Sequence, residues 1–407
     1  MVLTGSILVD LGGRCALRPG SITVRAGRIA SVRFDRARRA GPAGGIGRAV
    51  VLPGFIDAHL HVPQFDSIGR SGLTLLDWLS GTIFPAEARW ADARYASAMA
   101  RRVARHLLSF GTTGVVAYAT VHREGTLAAL RAFGKAGLRG RIGRVLMDGG
   151  APRALTRPAS TLVRESAADL SLTAGRMGQI VTPRFALSCS MDLMRGCADL
   201  ARASGLPVQT HLAEMRPECD LVRRRFGERY VRVYDRAGLL RPGSLLAHGV
   251  HLSDADLRLL ARRGCVVAHC PTANDFLRSG SMDLARVRRA GVPVALGSDV
   301  AGGPDRSMVR VARAMIETAQ RLGRQQPTPA EAFWAITAGN ADALGWTDAG
   351  RIAPGAPADL VIARPDIAWR SAPDPLGALL YGWDDRWIRR VLAAGRAVYD
   401  ADQRPGR

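Results

Sequence analysis

Short apolar runs at residues 5–9, 15–17, 21–24 and 28–32 are separated by glycine, arginine and proline. Alternation on this scale predicts short strands in a small antiparallel sheet. The texture changes at Val50. From there to about residue 340, strand-like runs at 54–61, 113–119, 144–147, 180–187, 207–213, 244–248, 265–270 and 293–299 alternate with amphipathic stretches such as 91–109, 191–203 and 254–263. Strand and helix in repeated succession imply βαβ units and a parallel sheet. Eight such units over this length predict an α/β fold of the (β/α)8 TIM type. Runs at 352–362 and 387–399 return to short strands that can pair with the N-terminal ones. The expected division is residues 51–345 as a barrel, with 1–50 and 346–407 as two parts of one small β-sandwich domain.

Composition supports a core of that size. The 407 residues are 47% hydrophobic and 23% charged, which excludes a disordered or collagen-like polymer. No apolar run is long enough to cross a bilayer, and residues 1–10 lack the basic start and cleavage pattern of a secretory leader. A soluble, cytoplasmic protein without a membrane partner is expected. The net charge of +22 comes from 57 basic residues, of which only Lys135 is lysine. That usage reads first as a coding bias toward arginine. The arginines are dispersed, as at Arg101, Arg102, Arg262, Arg263, Arg288 and Arg289, without the interleaved aromatics of a nucleic-acid surface. Nucleic acid is therefore not an expected partner. None of the six cysteines forms a C-x-x-C pair, which suits thiols in a reducing compartment.

Candidate chemistry gathers where the strand-like runs end. His59 and His61, two apart in the first run, point to the same face of a strand. Such a pair is half of a zinc site, although H-x-H alone also fits two polar residues leaving a strand for solvent. His211 and Glu214 close the fifth run, His248 the sixth and Asp299 the eighth. Singly, each is explained as a cap or loop residue. Jointly they place metal ligands and acid–base groups at the ends of separate strands, where barrel enzymes keep their chemistry. His269 also ends a run and is expected to be structural or to support a ligand. Two-metal barrels commonly bridge their ions with a modified lysine on the fourth strand. Here that run holds neither lysine nor carboxylate, so one metal per chain is expected.

At these residues the chain resembles the amidohydrolase superfamily. The opening phrase Pro53-Gly54-Phe55-Ile56-Asp57-Ala58-His59-Leu60-His61 and the closing one at 355–362 carry the likeness. Within it, Gln64 after the histidine pair, Phe84-Pro85-Ala86-Glu87, Pro183-Arg184-Phe185 and Ser298-Asp299 resemble the guanine deaminases. Residues 272–278 depart from that pattern. The resemblance implies one Zn2+ on His59, His61, His211 and Asp299, with a free position for water. It implies Glu214 as proton shuttle, His248 polarising the attacked position or holding the hydroxide, and Asp299 as both ligand and base. The implied reaction is hydrolysis of guanine to xanthine and ammonia. Arg184 and Gln64 would grip opposite edges of the base, Gln64 as paired donor and acceptor. Phe185 would stack on the base, and Trp78 and Phe84 would form a lid. Arg184 also fits a structural ion pair, and Phe185 a core position. The resemblance further implies a homodimer. Rival readings are the same chemistry on a pterin, 8-oxoguanine or an amino-triazine, and an inactive barrel serving as a scaffold.

Overall fold

The structure is a computed structural model, and it describes residues 1–35, 48–73 and 75–403. The N-terminal strands are β1 (Val2–Asp10), β2 (Cys15–Arg25), β3 (Arg28–Phe34) and β4 (Val50–Pro53). The runs at 15–17 and 21–24 are one strand, because Pro19 and Gly20 keep their register with Ser6 and Gly5. The next strands are β5 (Phe55–His61), β6 (Thr112–Tyr118), β7 (Arg139–Gly143), β8 (Val145–Leu146), β9 (Arg176–Gln179) and β10 (Thr182–Pro183). They are followed by β11 (Gln209–Leu212), β12 (Leu245–His248), β13 (Val266–His269) and β14 (Val294–Leu296). The chain ends with β15 (Leu360–Ala363), β16 (Ile388–Ala393) and β17 (Arg396–Asp400).

The terminal strands do pair, in a seven-stranded sheet of order β17-β16-β15-β4-β1-β2-β3. β4 sits at its centre, parallel to β1 and antiparallel to β15. Ile7, Ile22, Val51 and Leu360 bury one face of this sheet in a core of its own.

The intervening strands are parallel, in the orders β5-β6-β7-β9 and β11-β12-β13-β14. β8 and β10 pair with each other, and a bridge between Val181 and Val208 leads on toward β11. At the other end Asp299 N–H donates to the His59 carbonyl at 2.8 Å, and His61 N–H to the Val300 carbonyl at 2.9 Å. The side chain of Asn340 ties the same two strands together. Its amide donates to the carbonyls of Ile56 and Leu296 and accepts from Leu296 N–H, at 2.7–2.8 Å. A fully buried asparagine satisfied in this way replaces strand-to-strand bonds that β5 and β14 do not make directly.

Helices lie between the strands, among them Ala93–Ser109, Met191–Ser204 and Asp254–Arg262, close to the expected stretches. Their caps are those the sequence carries. Asp92, Ser190 and Ser253 each accept from backbone N–H groups of the first turn, worth about 1 kcal/mol apiece. The third and fourth strands start earlier than the apolar runs, at Arg139 and Arg176. Their first halves are rich in glycine and arginine, which hides them from a hydrophobicity reading. Gly140 has φ 128°, and a Cβ there would lie 1.9 Å from the Val115 carbonyl oxygen. Only glycine lets β7 approach β6 at that point. Lys135, the sole lysine, belongs to the last turn of the helix Arg123–Ala136. Among the described residues, no helix is long and apolar enough to cross a membrane.

Candidate active site

Five side chains predicted from strand ends meet at one point. His59 Nε2 lies 3.2 Å and His61 Nε2 3.4 Å from Asp299 Oδ1, and His61 Nε2 lies 3.0 Å from His211 Nε2. His248 Nε2 is 3.9 Å from Asp299 Oδ2. Donor atoms of His59, His211, His248 and Asp299 all fall within 4.8 Å of one another, a group that includes the sixth-strand histidine and leaves out His61. Burial holds the imidazoles of His59, His61 and His211 well below their usual pKa, so they are neutral and offer lone pairs. His59 Nε2 and His248 Nε2 are buried and have no hydrogen-bond partner among the described residues. Convergent neutral imidazoles with unpartnered nitrogens around one carboxylate are a donor set for a divalent cation.

Surrounding groups fix these rings. His211 Nδ1 donates to the Arg184 carbonyl at 2.7 Å and His248 Nδ1 to Asn274 Oδ1 at 2.9 Å. Each bond leaves Nε2 as the lone-pair nitrogen aimed inward. Asp57 accepts from Ser298 Oγ at 2.5 Å, from Ser298 N–H at 3.0 Å and from His59 N–H at 3.1 Å. It thereby locks the β5 end to the segment carrying Asp299. Burial nevertheless pushes its carboxyl up to about 7. Gly297 stands where a Cβ would come within 2.6 Å of the His59 side chain. Ala213, His248 and Asp299 have φ of 48°, 73° and 49°, the left-handed region. Such backbone costs on the order of 1–3 kcal/mol per residue and persists only where the surroundings enforce it.

Glu214 faces the group from one side, its Oε2 3.3 Å from His248 Nε2. Its other oxygen accepts from Ser279 Oγ at 2.8 Å. Burial, with the charge of Asp299 added, raises its carboxyl to about 8. A carboxyl that gains and loses a proton near neutrality is suited to carrying one.

A cavity opens over these residues, lined by His61, His211, His248, Glu214 and Asp299 on this side. Its second wall holds the remaining predicted residues: Gln64, Trp78, Arg184 and Phe185. Phe185 and Trp78 also pack in a shared apolar cluster with Phe84 and Leu277, so lining and core roles coincide. Arg184 and Gln64 do not face each other across the cavity. Arg184 Nη1 donates to Glu87 Oε2 at 2.6 Å, and Gln64 Nε2 donates to Glu87 Oε1 at 2.9 Å. One carboxylate gathers both, so they act side by side. Gln64 turns its NH2 end toward Glu87, with one N–H bonded there, and its Oε1 has no hydrogen-bond partner among the described residues. The ion-pair and pocket roles foreseen for Arg184 are both present.

His269 is buried near the group but outside it, and burial lowers its pKa to about 3. Its carbonyl accepts from Gly297 N–H at 3.0 Å, a structural contribution. Residues 272–278, which depart from the family pattern, contribute directly to the site. The helix Pro271–Phe276 supplies Asn274, Leu277 lines the cavity, and Ser279 follows directly. Glu87, Asn274 and Ser279 were not singled out from the sequence. The departure from family pattern at 272–278 was the signal for Asn274, and the Phe84–Glu87 motif was the signal for Glu87.

Residues 50–398 match the amidohydrolase family. Guanine deaminase of Rattus norvegicus is 31% identical over 85% of this chain and 82% of its own length. The probable guanine deaminase of Deinococcus radiodurans is 38% identical over 78% and 74%. The crystal structure of guanine deaminase from C. acetobutylicum, with guanine bound in its active site, superposes with a TM-score of 0.89 at 28% identity. That superposition covers 98% of this chain and 99% of the other. The chain belongs to the amidohydrolase family and resembles the guanine deaminases within it.

Proposed function

We propose that the protein hydrolyses guanine to xanthine and ammonia, with a zinc ion held by His59, His61, His211 and Asp299. The observation that carries this reading is one cavity with two unlike walls. One wall is a cation donor set beside a proton-carrying carboxyl, and the other is an arginine and an amide placed to read a planar base. The parallel strands are read as the eight-stranded barrel of the family, with the site at their C-terminal ends. Zinc supplies Lewis acidity there and brings a water molecule into reach at neutral pH.

The chain's own residues do the rest. Glu214 Oε2 takes a proton from the attacking water as its oxygen bonds to C2. It gives that proton to the adjacent ring nitrogen, and then carries the second proton, from the hydroxyl now on C2, to the departing amine. The C2–N bond breaks with its electron pair on nitrogen, so ammonia leaves and the ring keeps the oxygen. His248 Nε2, 3.3 Å from Glu214, holds the attacked position and the shuttle in register. Arg184 N–H groups meet the O6 carbonyl, Gln64 Oε1 meets N1–H, and Phe185 stacks on the ring. Trp78, with Leu75 and Leu79 beside it, closes the cavity against water. A homodimeric, cytoplasmic enzyme is part of the same proposal, and sedimentation of the purified protein measures the first half of it.

The test is ammonia release from guanine, adenine, cytosine, pterin and 8-oxoguanine under identical conditions, with metal content measured on the same preparation. Guanine should have the highest kcat/KM, with about one zinc per chain by the coordination argument. Sites that bind a base by buried hydrogen bonds reject mismatched analogues by up to about 10⁴-fold. A pterin or 8-oxoguanine far ahead of guanine would leave the chemistry and remove the substrate assignment.

A further inference from the structure

Glu87 is not among the residues that line the cavity, yet it is completely buried against two that do. Its carboxylate receives Gln64 Nε2 on one oxygen and Arg184 Nη1 on the other. An ionised carboxylate only accepts hydrogen bonds. It therefore forces the NH2 end of the Gln64 amide toward itself and leaves Oε1 as the other end. Gln64 Oε1 is buried and has no hydrogen-bond partner among the described residues. Leaving such an acceptor unpaired costs about 1–3 kcal/mol, so its natural partner is a donor on the ligand. The same short helix, Phe84–Ala88, holds the guanidinium a second time. Phe84, three residues before Glu87 and so on the same helix face, has its ring centroid 5.6 Å from the Arg184 guanidinium carbon. Arg184 is thus aimed, and its charge is balanced from behind. Its remaining N–H groups stay available to an acceptor.

We propose that Glu87 is the positioning residue that sets base selectivity, by fixing the Gln64 amide as an acceptor and Arg184 as a donor along one edge of the bound base. This rests on the guanine reading above. Guanine offers that edge a carbonyl at C6 and N1–H, the complement of donor and acceptor. A 2-aminopurine carrying a second amine at C6 keeps the same leaving group. Its edge is inverted, with an amine facing Arg184 and a bare ring nitrogen facing Gln64 Oε1. The amide of a glutamine at position 87 both donates and accepts, so it would let Gln64 turn over and would leave Arg184 without its counter-charge.

The experiment compares kcat and KM for guanine and 2,6-diaminopurine in the wild type, Glu87→Gln and Glu87→Asp, with metal content and thermal melting recorded for each. Glu87→Gln should keep the metal, raise KM for guanine, and narrow the guanine-to-diaminopurine ratio by about tenfold or more, the worth of one hydrogen bond to a charged or oriented group. Glu87→Asp keeps the charge with an altered shape and should retain most of the ratio. A purely structural Glu87 would lower both substrates equally and leave the ratio in place, which overturns the proposal. If Glu87→Gln does not accumulate as folded protein, Gln64→Met reads the same contact from its other side. An unchanged ratio there overturns the proposal as well. A wild type that does not deaminate guanine removes the functional reading before any variant is compared, so the two failures are distinct.

Discussion

The two walls of the cavity are built in different ways. The cation-donor wall is made of side chains on the strands themselves or within a few residues of their ends. Each is held by neighbours close in space along the sheet: Asp57 and Gly297 for His59, the Arg184 carbonyl for His211, and Asn274 for His248. The recognition wall is assembled from loops and short helices. Its order comes from one buried carboxylate joining residues 23 and 97 positions away. Sheet geometry alone can repeat the first wall from one relative to another. The second depends on a private contact that a single substitution can undo. Chemistry is anchored in the strands, and selection in what is laid over them.

Removing a piece of the first wall should have the largest effect. His211→Ala takes away a direct donor. Loss of partners that merely orient a ligand already costs about 10–100-fold, so this variant should lose its metal and more than about 10²-fold in activity. Metal analysis beside the ammonia assay checks it, and full metal content with normal turnover would break the distinction between the walls. Glu214→Gln comes next. It should keep the metal and lose about 10²-fold or more in kcat, the usual size of a general acid–base contribution. Loss of metal alongside would move Glu214 into the donor set.

Arg184→Ala tests the second wall and should keep the metal while raising KM. It also strands the fully buried Glu87. Breaking a buried pair from one side costs about 3–5 kcal/mol, so a lowered melting temperature should accompany the change. The smallest effect belongs to an ion pair of similar length on the outside. Arg202 and Asp199 are separated by 2.6 Å but are 62% and 68% exposed. Arg202→Ala should shift stability by no more than about 1 kcal/mol and leave kinetics untouched. Equal destabilisation by the two arginine variants would mean that burial does not separate them.

The same contrast explains what was readable from the chain. His59, His61, His211, His248 and Asp299 each end an apolar run, so type and position together announced them. β7 and the first half of the fourth strand were not readable. Close approach there demands glycine, as at Gly140, and the apolar signal thins where the backbone packs tightest. Glu87 belonged to a conspicuous motif, but nothing local says that a glutamate in a short helix will face two residues of other segments. The side-by-side placement of Gln64 and Arg184 follows from that contact, and their expected grip on opposite edges does not survive it. Asn274 lies in the stretch that departs from the family pattern and Ser279 just past it, and nothing local says that they will hold His248 and Glu214.

The central place of β4 in the terminal sheet has a consequence for the order in which the molecule can be made. Its partner on one side, β1, leaves the ribosome before it. Its partner on the other, β15, follows about 300 residues later. At synthesis rates of roughly 5–20 residues per second, that interval is on the order of 15–60 s. Until it has passed, β4 offers an open hydrogen-bonding edge to any other extended chain. The last strands are thus a closing clasp, and a nascent chain released early should be caught by chaperones or neighbours at that edge.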